Sequence, residues 1–146
     1  MHVLVTRPEP DASRLAAELA AMGLEVSVDP LLAIVPCLPA DLSVAGIAGL
    51  VITSRNALKA LAGHPALTAA RELPLYVVGP ATARLARDLG LAGMIESAAT
   101  ARELAPLIAA RHDSAAGPLL HLRGDHVAFD LATAVSNAGL ELREVT

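Results

Sequence analysis

Gly49-Leu50-Val51-Ile52-Thr53-Ser54-Arg55-Asn56-Ala57-Leu58 changes its pattern halfway along. Its first five residues are a short apolar run with β-branched side chains, which reads as a buried strand. Ser54, a favoured N-cap residue, then opens a helical stretch that runs to Leu61. The same change recurs on both sides. Leu75-Tyr76-Val77-Val78 precedes a helix from Pro80 to Leu89 that stops at Gly90. Leu119-Leu120-His121-Leu122 precedes a helix from His126 to Ala138, closed by Gly139 and followed by the strand Glu141 to Val145. Between them lie a weaker strand, Gly93 to Glu96, and a helix from Thr100 to His112 with Thr100 and Glu103 as a capping box. Upstream, Val3-Leu4-Val5-Thr6 leads into a helix from Pro8 to Gly23, with Leu15, Leu19 and Met22 on one face. Glu25-Val26-Ser27-Val28 follows as a strand. Such alternation predicts an α/β fold, a doubly wound parallel sheet with helices on both faces.

Between Asp29 and Asp41 the texture differs. Pro30, Pro36 and Pro39 surround Leu31-Leu32-Ala33-Ile34-Val35. Proline cannot donate to a sheet ladder, so this segment reads as an extended connector or edge ribbon. It is the candidate boundary, dividing residues 1–34 from 35–146.

Composition removes several function classes. Eleven basic against fifteen acidic residues leave a net charge of −4, which disfavours a phosphate-backbone binder. One Tyr, one Phe and no Trp offer few rings for stacking on bases, so no nucleic-acid partner is expected. No apolar run approaches the roughly 20 residues of a spanning helix, so no membrane partner is expected either. The N-terminus lacks a signal-peptide pattern. Cys37 is the single cysteine, which fits a reducing, cytoplasmic location. The five histidines show no metal-ligand spacing and are expected in structural or surface roles, and no metal site is assigned. No Gly-x-Gly-x-x-Gly follows a strand, and no Walker-type or nucleophile-elbow motif is present.

Four strand-to-helix turns carry the remaining chemistry: Thr6-Arg7-Pro8, Thr53-Ser54-Arg55-Asn56, Gly79-Pro80-Ala81-Thr82 and Arg123-Gly124-Asp125. A helix start offers unpaired N–H groups and a partial positive charge. Small residues let a carboxylate or phosphate approach that backbone. Hydroxyls and arginines add donors. Capping alone is the commonest role for Ser, Thr or Asn at a helix start. Four such turns on one sheet edge are more informative, because ligands of parallel sheets lie beyond the carboxyl ends of the strands.

In order and spacing these turns resemble the uroporphyrinogen-III synthase family. The matching stretches are Val3-Leu4-Val5-Thr6-Arg7-Pro8, Val51-Ile52-Thr53-Ser54-Arg55-Asn56-Ala57, Val78-Gly79-Pro80-Ala81-Thr82-Ala83 and Leu119-Leu120-His121-Leu122-Arg123-Gly124. The resemblance implies two α/β lobes joined by a two-stranded ribbon, with substrate in the cleft between them. Residues 1–34 would be the β-α-β opening of lobe one with the start of the connector, and 35–146 lobe two. It implies a lyase reaction without cofactor: cyclisation of hydroxymethylbilane, a linear tetrapyrrole with eight carboxylates. The terminal pyrrole ring is inverted and water is lost. Catalysis would be largely positional. Arg7, Thr53, Ser54, Asn56, Gly79, Ala81, Thr82 and Arg123 would contact substrate.

The resemblance also implies a second half that repeats these turns and carries a candidate tyrosine. The chain is therefore expected to be a partial synthase, weak in binding and turnover by itself. Its incomplete lobe one is expected to leave an apolar face unburied, and to be mobile, fold back, or pair with another copy of a family-like monomer. Two other readings stand beside it. One is a non-catalytic module holding a small polycarboxylate. The other is a receiver-like domain, disfavoured because Thr6-Arg7-Pro8 lacks an acidic pair for a metal.

Overall fold

The computed structural model describes residues 1–146 and divides them into two compact units, Met1–Val35 and Pro36–Thr146. The first unit is a β-α-β unit. β1 (His2–Val5) pairs in parallel with β2 (Glu25–Val28), with Leu4 opposite Ser27, and α1 (Asp11–Ala21) connects them. The helix begins at Asp11 rather than Pro8, because a residue before proline is pushed away from helical backbone and Pro10 does this to Glu9. Met22 caps the end of α1 and is exposed, so it is not part of the inward face. The buried residue of that face is Ala12. The face of the sheet with His2, Leu4, Glu25 and Ser27 is open, and His2 and Ser27 are hydrogen-bonded across it at 2.8 Å. That face is mostly polar. The large exposed apolar residues of this unit are Leu31, Leu32, Ile34 and Val35 in the segment after β2, together with Met1, Leu4, Met22 and Val28. The unit does leave apolar surface unburied, but on scattered residues and the segment after β2 rather than on one continuous sheet face, because the open face of the two strands is mostly polar.

Residues 29–48 form neither helix nor strand, and no edge ribbon is paired there. Asp29 N–H donates to the Val5 carbonyl and Leu31 N–H to the Thr6 carbonyl, which keeps the start of this segment beside β1.

In the second unit five parallel strands lie in the order β5-β4-β3-β6-β7. They are β3 (Gly49–Ile52), β4 (Leu75–Val78), β5 (Ile95–Ala98), β6 (Leu119–Leu122) and β7 (Leu142–Val145). The chain starts at the central strand, adds β4 and β5 on one side, then returns to lay β6 and β7 on the other. Both faces are covered. Leu50, Ile52, Leu75, Val77, Leu120 and Leu122 pack with residues of α2 (Arg55–Ala62), α3 (Ala66–Ala70) and α4 (Pro80–Asp88). Val51, Tyr76 and Leu119 pack with α5 (Ala101–Arg111) and α6 (Leu131–Asn137). Strands buried on both faces explain why the central runs are continuously apolar.

Two further element starts differ from the sequence expectation by two residues or more, and one short helix has no counterpart in it. β5 starts at Ile95 rather than Gly93, because Gly93 is pressed against the Leu73 carbonyl. α6 starts at Leu131 rather than His126. Asp130 provides the N-cap: its side chain accepts from the Thr133 N–H at 2.9 Å and the Thr133 hydroxyl at 2.7 Å. The short α3, after Pro65, had no sequence signal beyond that proline. At α5 the Thr100 half of the capping box forms as expected, Glu103 N–H donating to Thr100 Oγ1, while Glu103 Oε2 accepts from the N–H of Ala99, one residue before the N-cap, both at 3.2 Å.

Candidate functional site

Three of the four turns sit at the carboxyl ends of adjacent strands β4, β3 and β6. Between β3 and β6 the chain's winding reverses, which is where parallel α/β sheets open a ligand crevice. Arg7, on the fourth turn, is exposed in the first unit.

After β3, Ser54 is the N-cap of α2. Its Oγ accepts from the Asn56 N–H at 3.2 Å, which leaves the hydroxyl hydrogen able to donate elsewhere. Capping and ligand contact are therefore compatible at this residue. Asn56 lies in the first turn of α2, partly buried. After β4, Gly79 adopts φ +83° and ψ 147° as the N-cap of α4. The N–H groups of Thr82 and Ala83 both reach the Gly79 carbonyl at 3.2 Å, and Pro80 has none. The Ala81 N–H is thus without an intrahelical partner, at an exposed residue. Thr82 is 4% exposed. After β6, Arg123 Nη1 donates to the carbonyls of Gly124 at 2.9 Å and Asp125 at 3.3 Å, so that nitrogen holds its own turn. Its Nε lies 3.2 Å from Glu144 Oε1 but is buried and off the hydrogen-bond direction, a charge contact only.

The sequence reading placed His121 among structural or surface histidines. The structure puts it at this edge, 2% exposed, between the strands that flank it. Its Nδ1 is 3.1 Å from Glu144 Oε1 on β7, and its Nε2 is 3.1 Å from Thr53 Oγ1 at the end of β3. Burial pushes the His121 pKa below its ordinary 6.5. The hydrogen bond and charge of Glu144 oppose this, and the charge of Arg123 adds to it. A neutral ring beside an acceptor-only carboxylate must donate from Nδ1 and accept at Nε2, which assigns the Thr53 hydroxyl as donor. The available signal was a lone polar residue inside an apolar strand. Two other histidines are structural: His64 Nε2 donates to the Pro39 carbonyl at 3.0 Å, and His112 Nε2 to that of Gly117 at 2.9 Å. Tyr76 is buried within β4 and edge-on to His112, and its pKa is raised by burial, then by Glu96.

A pH effect on stability follows. Above about 6.5 neither the folded nor the unfolded chain protonates this imidazole. Below that value the unfolded chain takes the proton and the folded chain resists it. His121 should therefore reduce stability as pH falls from about 6.5 towards its folded pKa, by at most ~1.4 kcal/mol per pH unit. Urea unfolding midpoints at pH 7.5 and 5.5 should fall more in wild type than in His121→Gln. Equal falls would refute the assignment.

No group of three or more His, Cys, Asp or Glu side chains is placed to hold a metal ion, and no helix is long and apolar enough to cross a membrane.

This arrangement defines a doubly wound α/β unit with a donor-lined edge at its winding reversal. A family profile described as uroporphyrinogen-III synthase HemD matches residues 13–146, and the chain belongs to that family. The fold is similar to a crystal structure of uroporphyrinogen-III synthetase from Helicobacter pylori 26695, with a TM-score of 0.54 and 21% sequence identity. The likeness covers 82% of this chain and 55% of that one, so this chain spans about half the length of the solved relative. No curated protein matches the sequence.

Proposed function

We propose that this chain supplies a substrate-binding edge for the uroporphyrinogen-III synthase reaction, the cyclisation of hydroxymethylbilane with inversion of its terminal ring and loss of water. Membership of the family supports the reaction class. The observation that carries the site is the convergence of two helix-start turns and the loop after β6 on adjacent strand ends, with Ser54 as the N-cap of α2 and Ala81 and Thr82 in the first turn of α4. Donors spread over several turns suit a flexible ligand with many carboxylates. Holding such a ligand in one conformation lets its reacting carbons meet, which lowers the barrier through lost entropy rather than through a dedicated acid or base. Thr53, Asn56 and Gly79 complete the proposed contacts on this edge. Arg7 and Arg123 are further carboxylate donors in the proposal. The lone, exposed Cys37 supports a cytoplasmic location.

Binding is the direct test for a chain that spans 55% of the solved relative. Uroporphyrin III, a stable octacarboxylate tetrapyrrole, is expected to bind and to quench or shift its own fluorescence in a saturable titration. Ser54→Ala combined with Thr82→Val should weaken binding by about a hundredfold or more, since hydrogen bonds to charged groups are worth roughly 1.5–3 kcal/mol each. Binding of a simple tricarboxylate with equal affinity would favour the non-catalytic polycarboxylate module. Binding that ignores both substitutions would remove these turns from the site.

A further inference from the structure

Thr53 just after β3, His121 on β6 and Glu144 on β7 form one line of hydrogen bonds across the sheet edge, 3.1 Å at each step. The direction of that line decides what Thr53 can offer a ligand. With a neutral imidazole, the Thr53 hydroxyl spends its hydrogen on Nε2. It then presents only lone pairs outward, and these repel a carboxylate. If Nε2 gains a proton, the bond reverses: Nε2–H donates to Oγ1, and the hydroxyl hydrogen is released to donate outward. Glu144, at Nδ1, balances the charge on the protonated ring.

We infer that His121 is a proton-linked positioning residue, which turns Thr53 from a spent donor into a carboxylate-binding donor as it takes up a proton. The inference rests on reading this edge as a polycarboxylate site. The groups that act on the ring are few. Glu144 faces it from β7 and Arg123 from the end of its own strand, while the turn after β3 contributes the uncharged Thr53. The two helices on this side contribute apolar residues to the core there: Leu104, Ala105 and Ile108 from α5, and Leu131 and Val135 from α6. Asp130, at the start of α6, acts through its charge interaction with Arg123. An anionic ligand beside Thr53 adds negative charge near the imidazole, so ligand and proton favour each other, and by linkage each tightens the other.

The experiment is a titration of the chain with uroporphyrin III between pH 8 and pH 6, with imidazole ¹⁵N shifts of His121 recorded free and bound. Affinity is expected to rise as pH falls, by up to roughly tenfold per pH unit for one proton taken up. At a pH where Nε2 is unprotonated in the free chain, it should be protonated in the complex. His121→Gln places a permanent amide donor near Nε2, and should retain binding while losing the pH slope. Glu144→Gln removes the compensating charge, and should move the onset of tightening to lower pH. A purely structural His121 would leave the slope untouched in both variants. Saturable binding that is independent of pH, with Nε2 unprotonated in the complex, overturns this inference and leaves the functional reading standing. So does a slope that survives in His121→Gln, which would belong to the ligand's own carboxyls. No binding at any pH overturns the functional reading, and this inference with it.

Discussion

Gly93→Ala is expected to destabilise the second unit by about 3–5 kcal/mol, a cost reserved for substitutions that force backbone apart. A Cβ at Gly93 would lie 2.1 Å from the Leu73 carbonyl oxygen, 2.6 Å from its carbon and 2.9 Å from the Glu72 oxygen. These are main-chain atoms, so no rotamer change relieves the contact. The two segments cannot easily separate either. The N–H groups of Ala92 and Gly93 donate to the Arg71 carbonyl at 2.7 and 3.1 Å, and Leu75 N–H donates to that of Met94 at 2.7 Å. Those bonds seat β5 against β4, so relief at Gly93 unpairs the sheet edge. Domains of this kind have only about 5–15 kcal/mol of stability in total. Gly139→Ala is the control. It has φ +77° with nothing within 4 Å of the added Cβ, so it should cost only the left-handed backbone penalty of about 1–2 kcal/mol. Urea denaturation followed by circular dichroism separates the two. Gly93→Ala should lower the midpoint by about 2 M, with m near 1–3 kcal/mol per molar. A drop no larger than that of Gly139→Ala would show that the two segments do not approach as described.

At the ligand edge, Gly79→Ala should weaken uroporphyrin III binding by at least about tenfold while costing about 1–3 kcal/mol of stability. The physical cause is different from that at Gly93. Space is open around Gly79, with nothing within 4 Å of a Cβ, and the obstacle is its φ of +83°. A residue with a side chain relaxes that strain by rotating the turn. Rotation moves the Gly79 carbonyl, which holds the N–H groups of Thr82 and Ala83, and so redirects the Ala81 N–H and the Thr82 hydroxyl. Thr82→Val tests the hydroxyl without the strain. It should lose affinity by a similar factor, since each tenfold is about 1.4 kcal/mol, and should change the unfolding midpoint little. If both variants bind as wild type does, the third turn is only a helix start.

Much of this protein was legible in its chain. The change from an apolar β-branched run to a capped helix, repeated in order, determined the α/β class, and short-range bonds at Thr100–Glu103 and Ser54–Asn56 form where those residue types specify them. The family was legible for the same reason, because its turns are contiguous motifs. Errors fell where two local signals competed, as at α6, where Asp130 overrode the helix expected from His126.

Strand order was beyond any local rule. Only the return of the chain across β3 brings Thr53 and His121, 68 residues apart, within 3.1 Å, and sets Glu144 on the far side of the ring. Burial pushes the His121 pKa down there, and burial is a property of the assembled sheet and its helices. Local sequence determined which residues the strand-to-helix turns carry. The tertiary structure decided which turns stand together, and which hydroxyl depends on a proton, because pairing between distant strands and the desolvation it brings exist only once the sheet has closed.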